Sequence, residues 1–221
     1  MKLDIYFIHG WGFDKSFWKP VCKKIEENGL SRIAETIDLG FFSQRNFLQY
    51  NFQEIDSKSI FILHSYGLNW FLKNQIKCRA IINFFGVPNF LRFQKNPHIT
   101  EKIITKMIEN FSTNPSKVLK DFYRKCNVQY KQNKEVHIEN CLKSLKQLKN
   151  EDLTENFNNL KCKVFSFFSF SDNVLELNKK DLQSIKNDNH YINLLKNLDH
   201  GFPKNHPELC YKMIEKILMK L

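Results

Sequence analysis

Short apolar runs alternate with helix-patterned stretches along this chain, and that alternation restricts it to an α/β fold class with a mainly parallel sheet. Residues 3–8 and 60–63 read as the clearest strands, followed by 80–85 and 164–170. Between the first two, Phe17, Trp18, Val21, Cys22 and Ile25 recur at helical spacing and stop at Asn28-Gly29, after which 33–39 reads as another strand. The same rhythm predicts a short helix over 181–185, a strand over 191–195 and a last helix over 207–221, with Leu209, Met213, Ile214 and Ile217 on one face.

The stretch 87–150 breaks the rhythm. It is helix-patterned without a convincing strand and begins after a strand ending in Gly86-Val87-Pro88. With 221 residues, the chain has room for one core domain and a modest insertion but not for two large domains. The sequence therefore predicts a core built from 1–86 and 151–221, with 87–150 inserted as a helical cap. The formal net charge of +11 is uneven: the insertion carries 13 Lys and Arg against 5 Asp and Glu, a surplus of +8, which leaves +3 for the rest. A basic surface of this kind points to an acidic partner.

Apolar residues make up 42% of the chain and 21 are phenylalanine, which argues against a disordered basic tail. No run approaches the roughly 18 apolar residues of a membrane helix, and Met1-Lys2-Leu3-Asp4 opens no signal-like segment, so a soluble, cytoplasmic protein is expected. The six cysteines show no C-x-x-C pairing and are expected to be reduced. Neither metal-ligand spacing nor a nucleotide-binding glycine motif is present, so no metal and no cofactor is expected.

Candidate chemistry begins at Leu63-His64-Ser65-Tyr66-Gly67, where a strand meets a serine and the start of a helix. In a nucleophile elbow the serine sits on a strained strand-to-helix turn, with its hydroxyl exposed and the helix amides aimed at developing negative charge. Only half of G-x-S-x-G is present, since Leu63 stands at the first glycine, and a simple Ser-x-Gly turn is the alternative. Upstream, His9-Gly10-Trp11-Gly12 follows the first strand and is able to turn an N–H toward such a site. Downstream, Asp172 follows the strand 164–170, and His200 comes 28 residues later, before the last helix. The order Ser65, Asp172, His200 is that of a nucleophile, acid and base triad on this kind of sheet.

In these roles His200 takes the serine proton and returns it to the leaving group, and Asp172 orients the imidazole. The backbone N–H groups of Trp11 and Tyr66 form the oxyanion hole. Asp38, at the end of an earlier strand, is a weaker rival for the acid. His9 and His64 are expected to shape the site by packing, and His98, His137, His190 and His206 to be surface or capping residues.

Taken together, these residues resemble the α/β-hydrolases, and within them the pimeloyl-acyl-carrier-protein methyl ester esterases of biotin synthesis, the BioH type. The likeness rests on His9-Gly10-Trp11-Gly12 with Phe17-Trp18, on Asp38-Leu39-Gly40-Phe41, on the elbow, and above all on His200-Gly201-Phe202-Pro203 with His206-Pro207-Glu208-Leu209-Cys210. In the insertion, Phe111-Ser112-Thr113-Asn114 with Val118-Leu119-Lys120-Asp121-Phe122 is similar to the family's cap, as is 142–153. The resemblance implies hydrolysis of the methyl ester of a pimeloyl chain carried on acyl-carrier protein, giving methanol. It also implies Trp11, Phe122 and Met107 as substrate-binding residues, and Lys117, Arg124, Lys131 and Lys134 as a docking surface for the acidic carrier. The chain departs from the pattern at Leu63 and at 39–42, and it lacks the strands that usually precede the first loop, which implies a trimmed sheet. A monomer without nucleic-acid or membrane partners is expected. The alternatives are a general short-chain carboxylesterase or thioesterase with the same triad, and a basic binding module on an inactive hydrolase fold.

Overall fold

The computed structural model describes residues 3–42, 55–131, 134–183, 185 and 188–221. Six strands form one parallel sheet: β1 (Leu3–Ile8), β2 (Ser31–Ile37), β3 (Ile60–His64), β4 (Ala80–Phe84), β5 (Lys163–Ser169) and β6 (His190–Leu195), in the order β2-β1-β3-β4-β5-β6. Every residue of the central strands β3 and β4 is buried, which explains their unbroken apolar sequences: a parallel strand covered on both faces has no polar side to show. Each strand lies within two residues of its expected place.

Helices α1 (Lys19–Glu27) and α2 (Tyr66–Lys73) follow β1 and β3. Val21, Cys22 and Ile25 are the buried stripe of α1, and Gly29 ends the helix region with φ 62°, a backbone conformation that favours glycine. Between β4 and β5 the chain forms α3 (Pro97–Phe111), α4 (Pro115–Lys125) and α5 (Ile138–Asn150), then the short α6 (Thr154–Asn158). After β5 come α7 (Lys179–Gln183), α8 (Phe202–Asn205) and α9 (Pro207–Leu218). Helix α7 starts two residues before its expected place, and Ser184, within the expected helix, lies outside the described residues. The last helix stops at Leu218, short of the expected 221.

Helix α1 packs with α9, and α2 with α6, while α3 touches both α4 and α5. A phenylalanine-rich core fills the space between sheet and helices, with Phe84 stacked on Phe167 at 5.1 Å and Phe61 tilted against Phe71 at 5.0 Å. No helix among the described residues is long and apolar enough to cross a membrane. The helices between β4 and β5 are fastened to the loop after the first strand and to α2 by named contacts. Trp11 Nε1 donates to the Cys141 carbonyl at 3.0 Å, the Tyr123 hydroxyl to the Gly12 carbonyl at 2.8 Å, and the Tyr66 hydroxyl to Gln147.

Candidate active site

Ser65 has φ 51° and ψ −121°, a conformation that costs an ordinary residue energy and survives only where the surroundings enforce it. They do so by close approach. A Cβ on Gly67 would stand 2.8 Å from the Ile8 carbonyl oxygen, and one on Gly86 would stand 2.9 Å from the Ser65 carbonyl oxygen. These glycines let α2 and the loop after β4 close around the serine. Leu63, at the place of the motif's first glycine, is fully buried in β3, and Ser65 still adopts its positive φ.

His200 Nε2 lies 3.0 Å from Ser65 Oγ, and His200 Nδ1 lies 2.7 Å from Asp172 Oδ2. The three side chains come from three separate strand ends, across 135 and 28 residues of sequence. Both His200 and Asp172 are buried, and Asp172 Oδ1 accepts from the Val174 and Leu175 amides at 2.7 and 2.9 Å. Those amides hold the carboxylate with one oxygen turned to the imidazole. The loop of His200 is held in its turn by the Gly201 amide, which donates to the Cys126 carbonyl at 2.9 Å, where a Cβ on Gly201 would stand 2.4 Å from that oxygen.

Tyr66 opens α2 directly after Ser65, so its N–H belongs to the first turn, whose amides have no acceptor within the helix. Trp11 sits in the loop after β1, beside β3 in the sheet. That loop runs against the serine: a Cβ on Gly10 would stand 3.0 Å from Ser65 Cβ and 2.6 Å from His64 Nδ1. Both backbone candidates thus flank the serine.

Asp38 is taken by another partner. Its Oδ1 lies 3.4 Å from His9 Nε2 and accepts from the Gly40 amide at 3.0 Å, so it is not the carboxylate that faces His200. Burial opposes its ionisation, but His9 and the amide outweigh burial and hold it down to about 2. His64 is buried among Phe17, Phe13 and Trp18, with its Nε2 donating to the His200 carbonyl at 2.9 Å. Burial first, and the charge of His200 next, push its pKa well below the usual imidazole range, so it stays neutral. His137 caps α5 by accepting from the Asn140 amide, and His98 and His206 are exposed. His190 departs from expectation: it is half-buried, bonded to Ser166 Oγ at 2.8 Å and packed edge-on to Phe157, because β6 turns that ring toward β5.

A cavity of about 390 Å³ opens onto Ser65. Trp11, Phe122 and Met107 all line it, and Trp11 meets Phe122 edge-to-face at 4.9 Å. Phe90, Ile103 and Val118 line it too, as do Ile104, Leu145, Leu148 and Val174. None of these was read from the sequence as a lining residue, because a lining residue and a core residue share the same helical periodicity. Of the four docking candidates, only Arg124 borders the cavity, and it pairs with Asp121 at 3.1 Å. Lys134 pairs with Asp14, while Lys117 and Lys131 are exposed. Lys106 and Lys125 border the cavity as well, cations the sequence did not single out.

No family model matches the sequence, and no curated protein matches it. Solved structures do. The chain superposes on an esterase from Exiguobacterium antarcticum with a TM-score of 0.76 at 12% identity, covering 98% of this chain and 92% of that one. The chain has the α/β-hydrolase fold. A bromoperoxidase from Bacillus anthracis gives a TM-score of 0.77 at 12% identity over 100% and 93% of the two chains. MenH from S. aureus gives 0.67 at 15% over 99% and 94%. Identities this low establish the fold alone, and α/β-hydrolase folds carry several chemistries, so activity has to be argued from the site.

Proposed function

We propose that the protein is a serine carboxylesterase, and that its substrate is the methyl ester of a pimeloyl chain borne on acyl-carrier protein. One observation carries the reading: the continuous hydrogen-bonded chain Ser65–His200–Asp172 on a strained strand-to-helix turn. In this mechanism His200 Nε2 takes the serine proton as Oγ attacks the ester carbonyl. The tetrahedral oxyanion is held by the Trp11 and Tyr66 amides, where the loss of one such donor costs about 2.7–4 kcal/mol. The tetrahedral intermediate collapses with return of the proton to the departing methoxide, releasing methanol. Water, activated by the same imidazole, then cleaves the acyl-enzyme.

The mostly apolar cavity between Ser65 and the inserted helices suits a medium-length acyl chain, with Phe122, Met107 and Trp11 as its wall. The surplus positive charge of 87–150 suits an acidic carrier. Esterases and other hydrolases among the fold's solved structures are consistent with this chemistry. A second reading, a general short-chain carboxylesterase or thioesterase, draws on the pairing of Arg124 with Asp121 and of Lys134 with Asp14, which leaves fewer unpaired cations for a carrier.

Ser65→Ala removes the nucleophile without touching the core. Methanol release from the carrier-bound ester should fall by at least about a thousandfold, with the melting temperature unchanged. A variant that keeps full activity refutes the assignment.

A further inference from the structure

Among the described residues, four features stand outside the proposed reaction: the apolar edge of β6, the His9–Asp38 pair, half-buried His190, and a second cleft. The second cleft carries the most chemistry. It encloses about 790 Å³ and is lined by the end of α2, the segment 75–79 and the stretch 155–162. Cys78 and Cys162 both border it, with their sulfurs 3.7 Å apart.

These two thiols differ from the other four. Cys22, Cys126, Cys141 and Cys210 are buried in the core. Burial pushes Cys22 up to about 11 and Cys141 up to about 12, and lifts Cys126 and Cys210 well above the ordinary thiol range, so none of them supplies thiolate near neutrality. Cys78 and Cys162 are only partly buried, on an open cleft. The S–H of Cys78 donates to Cys162, which lowers the pKa of Cys162 against the opposing effect of burial. Lys77, Arg79 and Lys161 line the same cleft.

We propose that Cys78 and Cys162 form a peroxide-oxidisable dithiol whose disulfide braces the two strands on either side of the inserted helices. The Cys162 thiolate attacks one oxygen of hydrogen peroxide and the O–O bond breaks, leaving a sulfenic acid on Cys162 and a hydroxide that takes up a proton as water. Cys78 then attacks the Cys162 sulfur: the S–S bond forms, the S–O bond breaks, and hydroxide leaves with the Cys78 proton as a second water. Two thiols lose two electrons and one peroxide gains them.

Disulfide formation would shorten the sulfur–sulfur separation from 3.7 Å to roughly 2.0 Å. The β4–β5 ladder begins at the pair Ala80 and Lys163, so both cysteines precede its first register pair. They lie at the starts of β4 and β5, whereas Ser65 and Asp172 follow the ends of β3 and β5. Seven residues of β5 put about 23 Å between the two ends. The link would close a loop of 84 residues that contains α3, α4 and α5 whole, and long loops lose the most unfolded-state entropy when they are closed.

The test uses the intact chain treated with hydrogen peroxide and read by thiol titration, peptide mass spectrometry and thermal melting. Reactive thiols under denaturing conditions should fall from six to four, with one cross-linked peptide joining Cys78 to Cys162. The melting temperature should rise by about 5–10 °C and return on reduction with dithiothreitol. Cys78→Ser should leave a sulfenic acid on Cys162 that a dimedone-type probe captures, with no cross-link and no rise in melting temperature. Six persistent thiols, a cross-link through any other cysteine, over-oxidation of Cys162 with Cys78 left reduced, or a cross-link without a gain in melting temperature each overturn the proposal. Ester hydrolysis is not needed for any of these readouts, so they stand apart from the hydrolase reading.

Discussion

His64 sits one residue before Ser65, and its Nε2–H donates to the backbone carbonyl of His200. Its ring is wedged between Phe17 at 4.4 Å and the His200 imidazole at 4.9 Å. Burial first, and His200 next, push its pKa well below the usual imidazole range. His64 thereby fixes the loop that carries the proposed general base. Replacing it leaves that carbonyl without its donor, a loss of about 1–3 kcal/mol. His64→Phe should lower kcat about tenfold with KM unchanged, and His64→Gln, which can still donate, should recover part of the loss. A variant that alters KM alone, or equal effects from both substitutions, contradicts the role. The same residue marks a limit of the sequence: a histidine beside a serine reads as packing, and only the spatial return of His200 shows what the ring holds.

At the scale of elements, β6 is an edge strand of the sheet, and Tyr191, Ile192 and Leu194 are exposed on it. Its first residue, His190, is the exception, turned inward against Phe157 and Ser166. Burial lowers its pKa from the usual 6.5 to about 4. The unfolded chain therefore binds a proton near pH 6.5 that the folded chain takes up only near pH 4, and stability falls as pH drops through that window. His190 accounts for about 1–3 kcal/mol of the loss. Urea midpoints at pH 7 and pH 4 should differ less in His190→Gln than in the parent chain, and an equal gap in both contradicts the assignment. The strands themselves were legible, since buried parallel strands are short apolar runs. The start of α7 and the end of α9 were not, because the residues at a helix terminus carry no periodic signal that marks where it stops.

For the whole molecule, the positive surplus of 87–150 is the property with the longest reach. Lys117 and Lys131 are exposed and have no ion pair among the described residues. If an acidic carrier approaches over this surface, Lys117→Glu with Lys131→Glu should reduce kcat/KM for the carrier-bound ester about tenfold at low ionic strength. The effect should fade with added salt. Hydrolysis of free dimethyl pimelate should be unaffected. Equal losses on both substrates would turn the reading toward the general esterase.

Chain order alone determined a good part of this protein. The alternation of apolar runs and helical patterns specifies a parallel sheet, because strands covered on both faces must be apolar throughout. The order Ser65, Asp172, His200 along three strand ends specifies which side chains a parallel sheet can deliver to one edge. Tertiary structure decided what depends on distance between segments remote in sequence. Asp172 rather than Asp38 faces His200, since Asp172 follows β5, next to β6, whereas Asp38 follows β2 at the opposite edge of the sheet. Gly67 and Gly86 enforce the strain at Ser65 although the first glycine of the motif is absent. Cys78 and Cys162, 84 residues apart and without any local pattern, meet at the foot of β4 and β5. Local sequence encodes periodicity and turn chemistry, whereas burial, pairing and sub-4 Å contacts arise only when the chain has packed.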